Sequence, residues 1–366
     1  MIGGNDKITK GQNAGLVIGS VLGVGILSLP KDLADIAGPD GVFLLIIATI
    51  IIILLVIVHS KIALKFPGKT LVEIMNDTLP KPIALMFIFI FIFFYLGAAA
   101  SVVRVFSEGI KMFMLSRTPL EVIIMTMLLT NVYIVRQGIE PIARIVQIVL
   151  PLAIIPFFLI SLALIPDLKM TNMLPLFQIG IKEVFQGLKV AAYSFIGTEI
   201  ILISTAYVKD TKNALKYNIL STVFLGFIYI FIFIIVVTQF GIKQTADLLW
   251  PTLFLMKTVD IPGAFLENVE GIFITIWTLI ALQGLAVILI QESIVISKAL
   301  KLKESNFISM PLLPVIYVLA VFPENIAEVY DYMNIFSNYL GTVVALGIPL
   351  VLFIVLLFKK KGTKKA

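Results

Sequence analysis

Residues 19–30 form an apolar segment that glycines interrupt in its middle. The stretch reads Gly-Ser-Val-Leu-Gly-Val-Gly-Ile-Leu-Ser-Leu-Pro, and each of Gly23 and Gly25 costs a helix roughly 1 kcal/mol relative to alanine. In lipid, unwound backbone is tolerated only where protein buries it or where it lines a cavity. The segment therefore predicts a membrane helix that is broken near mid-depth and ends at Pro30.

Two roles are open for such a break. A broken helix leaves free N–H groups at the start of one half and free C=O groups at the end of the other, and transporters bind small solutes at such ends. The alternative is a packing role, because small residues let membrane helices approach closely. This segment alone does not decide between binding and packing.

The composition predicts a polytopic membrane protein. Of 366 residues, 60% are hydrophobic and 14% are charged, which is too apolar for a soluble domain. Cysteine is absent and His59 is the one histidine, so we predict neither a thiolate metal site nor a histidine cluster for a metal or a catalytic triad. We also predict no cofactor, no enzymatic activity and no nucleic-acid partner. His59 itself is predicted to lie at the membrane interface. No cleavable signal peptide is predicted before the first span.

Hydropathy predicts ten membrane spans, at about 20 apolar residues for each crossing. They are residues 11–30, 41–60, 82–103, 119–135, 145–165, 187–208, 217–241, 271–297, 310–322 and 333–358. The fourth and ninth are the shortest. All ten belong to one integral membrane domain, residues 1–366.

The distribution of Lys and Arg predicts the orientation of the chain. With a cytoplasmic N-terminus, most of the 28 basic residues fall on the cytoplasmic side, including the basic tail of residues 359–366. The opposite side then carries acidic connections at Asp247, Asp260, Glu267, Glu270, Glu324, Glu328 and Asp331. Because the number of spans is even, both termini are predicted to be cytoplasmic.

The ten spans divide into two five-helix repeats, residues 11–165 and residues 187–358. The first and sixth spans are both interrupted, at Gly23 to Gly25 and at residues 194–199. Because five is odd, the second repeat must be inverted relative to the first. Paired interruptions at matching positions of two halves are the best sequence indication of a transporter-type binding site, so they favour the binding role.

Glu199 is the carboxylate that falls near the middle of a predicted span. A charge at this depth costs on the order of 3 kcal/mol on the gentlest scale, so the group should face a cavity or a partner, or carry a proton. It is either a proton-linked group or ligand contact, or a hydrogen-bonding brace of the unwound backbone beside Gly197. We favour the brace.

Other polar residues in the spans carry less specific signals. Glu292 is predicted to reach interfacial water at the cytoplasmic end of span eight, in a structural role. Arg104 and Glu108 are four residues apart near the end of span three, which allows them to pair on one helical face. On span eight, Thr275 and Thr278 are predicted to face a central site.

Two runs of residues resemble a known transporter superfamily. Gly19-Ser20 through Gly23-Val24-Gly25-Ile26-Leu27, with Pro30, is similar to the first span of the amino acid–polyamine–organocation transporters. Residues 192–199, Ala-Tyr-Ser-Phe-Ile-Gly-Thr-Glu, are similar to their sixth. Within that superfamily, nearly the whole chain resembles the spore germination protein B family, including a re-entrant-looking stretch at residues 175–180.

This resemblance implies an all-α, LeuT-like fold of two inverted five-helix repeats with helices 1 and 6 broken. It also implies a small nutrient, usually an amino acid, bound between those two helices. Backbone N–H groups near Gly23 and Gly25 would hold the ligand carboxylate, and C=O groups near Phe195 and Gly197 its ammonium. The predicted ligand-binding residues are Ser20, Gly23, Val24, Gly25, Tyr95, Tyr193, Phe195, Gly197, Thr275 and Thr278.

The resemblance further implies the role of a germinant receptor B subunit that triggers spore germination. Its partners would be an A subunit and a lipoprotein C subunit, in the inner membrane of the spore or in the cell membrane. The alternative is a proton-coupled amino acid permease with Glu199 carrying the proton. Span five contains no charge, in contrast to members that place a lysine there, so lysine-based proton coupling is not predicted.

Overall fold

The computed structural model describes residues 6–23, 25–258 and 269–359. Within these ranges the regular elements are helical, apart from an isolated bridge between Ile8 and Val208. Val24 and the predicted acidic positions Asp260 and Glu267 lie outside the described residues, as do residues 360–366 of the basic tail.

The helices follow each other along the chain with short connections. The first half contains α1 (Lys10–Val21), α2 (Gly25–Ala37), α3 (Gly41–Lys65), α4 (Leu71–Thr78), α5 (Lys81–Phe113), α6 (Leu120–Val135) and α7 (Ile139–Ala163). The second half contains α8 (Ile181–Tyr193), α9 (Ile201–Ser204), α10 (Ala214–Phe240), α11 (Ile242–Asp247), α12 (Pro251–Lys257), α13 (Val269–Ala299), α14 (Ser309–Val321), α15 (Ile326–Phe336) and α16 (Ile348–Lys359).

Six helical stretches of the described chain are long and apolar enough to cross a membrane. One of them, Gly25–Lys65, has 41 residues; at 1.5 Å per residue this is about twice the ~30 Å hydrocarbon thickness, so it contains α2 and all of α3. The shorter apolar helices α6 and α14 match the predicted spans four and nine. The chain is therefore a multi-pass, all-α membrane protein, as predicted.

The first and sixth spans are each built from two helical pieces. α1 ends at Val21 and α2 begins at Gly25. In the sixth span, α8 ends at Tyr193 and helix resumes at Thr198, with a bend of 47° between the two pieces. Both interruptions fall where the glycine pattern predicts them.

Pro30 lies inside α2, so the prediction that the first span ends there is wrong. Proline in a helix removes one hydrogen bond and frees the carbonyl four residues earlier. That carbonyl belongs to Ile26, and it accepts a 2.8 Å hydrogen bond from the hydroxyl of Thr252 in α12. The helix therefore continues to Ala37, because a distant side chain replaces the missing donor.

The predicted tenth span begins earlier and is less regular than expected. It starts at Ile326 with α15 and changes to π-helical turns at Ser337–Gly341 and Val343–Gly347 before α16. Such π turns inside helices are rare and occur frequently at functional sites.

Several basic residues mark one end of the molecule, which we call the basic end. Lys10 pairs with Asp210 at 3.5 Å, Lys65 donates to the Leu356 carbonyl and Lys298 pairs with Glu73 at 3.0 Å. Partial burial raises the pKa of Glu73, but hydrogen bonds from Thr70 and Lys298 outweigh it and hold the pKa below its ordinary value. The start of α1 and the ends of α3, α13 and α16 thus meet at the basic end.

A backbone latch joins two chain segments at the basic end. The Ile8 N–H donates to the Tyr207 carbonyl at 2.9 Å, and the Lys209 N–H donates to the Ile8 carbonyl at 2.9 Å. The segment that enters α1 is therefore paired with the segment that leaves the sixth span.

Candidate functional site

The two helix breaks lie against each other at the centre of the protein. The Ser20 hydroxyl, in the last turn of α1, donates to the Gly197 carbonyl at 2.9 Å. From α10, the Tyr229 hydroxyl approaches one carbonyl of each span, with Val21 O at 3.3 Å and Ser194 O at 2.8 Å. Ends of helices from both halves of the chain thus converge on one point.

A cavity of about 140 Å³ adjoins this point. Its wall is formed by both breaks together with faces of α5, α13 and α15. The residues that line it are Ser20, Val21, Leu22, Gly23, Gly25, Phe94, Tyr95, Gly97, Ala98, Ser101, Val102, Tyr193, Ser194, Ile196, Gly197, Ala281, Gly284, Ile288, Met333, Phe336 and Ser337. This set contains no charged side chain, so the described wall of the cavity is neutral and mainly apolar.

Helix dipoles, and not charged side chains, determine the electrostatic potential at this cavity. α2 begins at Gly25, so its first N–H groups, which have no intrahelical acceptor, lie at the cavity with the positive end of the helix dipole. α1 and α8 end beside it and present the negative ends of their dipoles. The site can therefore attract a carboxylate at one place and a cation at another.

A second, wider cavity of about 520 Å³ adjoins the first on the side away from the basic end. The two share Gly25, Tyr193, Ser194, Met333 and Ser337 in their walls. The wider cavity also has charged groups in its wall, Lys31, Asp32, Asp35 and Asp331. The neutral cavity thus borders a larger, charged one, and the two meet at the start of α2 and the end of α8.

Glu199 is fully buried behind the break of the sixth span. One carboxylate oxygen accepts the Gly197 N–H at 3.0 Å, and the other accepts the hydroxyl of Tyr95 from α5. The carboxylate thus fastens the unwound backbone to α5, as a brace would. The tie also holds Tyr95, which lines the cavity, in place.

Gly197 has a backbone conformation that requires glycine. Its φ is +117°, a region that residues with a Cβ rarely adopt. A Cβ at this position would lie 2.7 Å from the Ser20 carbonyl oxygen, so the close approach of the two breaks depends on the missing side chain.

Some of the predicted ligand-binding residues do not line the central cavity. The Phe195 ring is buried edge-on against Tyr229, with 5.1 Å between ring centres, and is not part of the cavity wall. The Phe195 carbonyl accepts the Thr198 N–H, and that of Gly197 accepts the Ile200 N–H and the Ser20 hydroxyl. The Gly197 carbonyl thus already accepts two hydrogen bonds within the protein, whereas the Phe195 carbonyl accepts one and keeps a second lone pair.

Thr275 and Thr278 do not line the central cavity either. Their hydroxyls donate to carbonyls of their own helix, Gly271 and Ile274, each at 2.8 Å. Thr275 lies two and a half helical turns before Gly284, which is in the cavity wall, so the two residues are on opposite faces of α13. The expectation that these threonines shape the pocket is not met.

Two further expectations about polar residues are wrong, and a third is confirmed. His59 and Glu292, expected at the membrane interface, are both fully buried. Arg104 and Glu108 do pair, with 3.1 Å between Nε and Oε1.

The sequence reasoning missed the contribution of α15. Met333, Phe336 and Ser337 line the cavity, just where α15 gives way to the π-helical turn. The Phe336 ring also lies so close to Gly97 that a Cβ there would be 2.7 Å from it. Gly97 begins a run of four small residues on α5, Gly-Ala-Ala-Ala, a composition that favours close helix packing and does not by itself indicate a cavity.

Comparison with known proteins places the chain in a family. The family model described as spore germination protein matches residues 7–329. Spore germination protein YndE of Bacillus subtilis (strain 168) is 28% identical over 365 residues, 100% of both chains. Spore germination protein A2 of the same organism is 26% identical over 363 residues, 98% of both chains. GerLB of Bacillus cereus is 26% identical over 340 residues, 90% of this chain and 89% of its own.

A solved structure has the same fold. MhsT, crystallised in complex with L-phenylalanine, aligns with a TM-score of 0.69 over 97% of this chain and 89% of MhsT, at 13% sequence identity. The expected LeuT-like fold is thereby confirmed.

Proposed function

Because this chain belongs to the spore germination protein family, we propose that it is the B subunit of a germinant receptor, which binds a small nutrient and so triggers germination. The observation that carries the proposal is the neutral cavity between the two helix breaks. A ligand can act on such a protein only through its different affinities for two conformations. The ends of α1, α2, α8 and α15 meet at this cavity, so the shape of the site changes when these helices move.

The cavity favours a zwitterionic amino acid with an uncharged side chain. The N-terminus of α2 suits a carboxylate, and the C-terminal ends of α1 and α8 suit an ammonium group. Apolar neighbours such as Ala98, Val102 and Ile288 suit an apolar side chain. The complex of MhsT with L-phenylalanine supports this class of ligand.

Leucine at position 25 tests the site. A Cβ there meets Ser194 at 3.5 Å, an ordinary contact, so Gly25→Ala should fold and keep its ligand. The larger side chain of Gly25→Leu should fill the space at the start of α2 and lower the affinity at least about tenfold, or 1.4 kcal/mol. Calorimetry with L-alanine, L-valine, L-leucine and L-phenylalanine measures the effect. Full affinity in a well-expressed Gly25→Leu protein would favour a packing role for this glycine.

The basic end is proposed to face the cytoplasm, with both termini on that side, because Lys and Arg concentrate in cytoplasmic loops. The chain has no native cysteine, so single cysteines can be labelled with an impermeant maleimide on intact cells. Asp247→Cys should react from outside, and Lys216→Cys only after permeabilisation; both positions are exposed. The opposite pattern would contradict this orientation.

We place the subunit in the inner membrane of the spore, with an A subunit and a lipoprotein C subunit as partners. A proton-coupled amino acid permease is the second candidate. The observation in its favour is the buried carboxyl of Glu199, which is hydrogen-bonded to the cavity residue Tyr95. Neither role requires a cofactor or an enzymatic reaction.

A further inference from the structure

Three consecutive residues of α13 bring polar groups into the interior of the protein. Glu292 and Ser293 are fully buried, and Gln291 is almost so. The carboxylate oxygens of Glu292 and the hydroxyl of Ser293 have no hydrogen-bond partner among the described residues. Protein interiors pair nearly all such groups. An unpaired carboxyl group at this depth therefore requires a physical explanation.

Glu292 lies on the face of α13 that lines the central cavity, just beyond the cavity itself. Gly284 and Ile288 line that cavity, and Glu292 follows at the same spacing of four residues. It therefore lies on the same face of α13, one helical turn closer to the basic end. Its neighbour Gln291 lies beside the hydroxyl of Tyr95, another cavity residue. One turn of helix thus separates the cavity from a buried acid.

The elements packed against α13 give Glu292 no counter-charge. These elements are α1, α4, α5, α6, α7, α9, α12 and α14. Their charged residues and tyrosines are Lys10, Glu73, Asp77, Lys81, Tyr95, Arg104, Glu108, Lys111, Glu121, Tyr133, Glu140, Arg144, Lys257 and Tyr317. Among the described residues, none of these groups forms a hydrogen bond with Glu292, whose carboxylate oxygens are both buried without a partner. On α13 itself, Lys298 pairs with Glu73.

We propose that Glu292 is a proton-binding site one turn below the central cavity, occupied in this conformation, and that ligand in the cavity changes its affinity for the proton. A lone carboxylate would be strongly disfavoured in this environment, whereas the protonated acid is neutral. A movement that admits water from the basic end allows the acid to release its proton to that water, and the carboxylate binds a proton again when the site closes.

Linkage makes this coupling reciprocal. If the ligand changes the affinity of Glu292 for a proton, a change in pH must alter ligand affinity by the same factor. This second part of the proposal rests on the proposed function, because it requires a ligand in the cavity. The first part, a proton on Glu292, does not depend on any ligand.

Infrared spectroscopy of the full-length protein in lipid nanodiscs tests the proton itself. At neutral pH, Glu292→Gln should remove one buried acid from the C=O stretching band of protonated carboxyl groups. Glu121→Gln, which changes an exposed glutamate on α6, should leave the band unchanged. Glu292→Asp keeps a carboxyl group and should shift the band. If the Gln variant does not fold, this shift shows whether residue 292 carries a proton. A Glu292→Gln spectrum identical to that of the unaltered protein, or an unshifted band in Glu292→Asp, would overturn the proposal.

Calorimetry with L-alanine, L-valine, L-leucine and L-phenylalanine between about pH 5 and pH 8 tests the coupling. The affinity of the unaltered protein and of Glu121→Gln should change with pH, and that of Glu292→Gln should not. Equal pH dependence in all three proteins would overturn the coupling. If none of these amino acids binds at any pH, the proposed function fails, while the infrared result still decides whether Glu292 holds a proton.

Discussion

Replacement of Gly197 by alanine should abolish nutrient binding or weaken it by about tenfold to a hundredfold. The backbone conformation at φ +117° costs a residue with a Cβ on the order of 1–3 kcal/mol. In addition, the new Cβ would lie 2.7 Å from the Ser20 carbonyl oxygen, so the two helix breaks must separate. Binding calorimetry on the purified variant, with a check for monodispersity, measures the loss.

Gly23→Ala is the matched control for this experiment. Gly23 lines the same cavity, but no atom lies within 4 Å of a Cβ at this position. The variant should therefore keep the close approach of the two breaks, and any loss of affinity in it reports only the methyl group added to the cavity. If Gly197→Ala binds as well as Gly23→Ala, the close approach of the breaks does not matter for the ligand.

Glu199→Ala should be strongly destabilising, whereas Glu199→Gln should be almost silent. Alanine leaves the Gly197 N–H and the Tyr95 hydroxyl without their acceptors, at about 1–3 kcal/mol for each buried group left unpaired. Glutamine keeps the shape: its amide oxygen can accept the Gly197 N–H, and its NH2 group can donate to the Tyr95 hydroxyl, which can also act as an acceptor. The two melting temperatures in detergent provide the comparison.

The same pair of variants separates the receptor from the permease. In vesicles with a pH gradient, a proton-coupled permease would accumulate amino acid, and Glu199→Gln would lose this accumulation because glutamine cannot titrate. A receptor whose Glu199 is a brace should show no such accumulation with either side chain. Uptake driven by the pH gradient in the unaltered protein, lost in Glu199→Gln, would favour the permease.

The sequence predicted the broken spans well because their signal is local. Glycines at positions 23, 25 and 197 are costly in a membrane helix wherever they occur. Pro30 was misjudged because its effect depends on Thr252, a residue far along the chain that donates to the freed carbonyl of Ile26. The sequence around Pro30 does not predict a hydrogen-bond donor that comes from so far along the chain.

The wall of the cavity was harder to predict than the breaks. Most of α13 is buried in the protein, 83% of its apolar stretch, so apolar residues occur all round it and no period marks the face that meets the ligand. Thr275 and Thr278 were therefore placed on the wrong faces. Phe336 and Ser337 were missed because they lie where α15 changes to a π-helical turn, and that change has no composition signal of its own.

The latch at the basic end does not depend on the side chain at position 209. At Lys209 it is the backbone N–H that bonds to the Ile8 carbonyl, while the side chain is exposed. Every amino acid except proline supplies that N–H. Any substitution at position 209 except proline should therefore leave the attachment of α1 to the sixth span intact, whereas proline would remove one of the two hydrogen bonds of the latch.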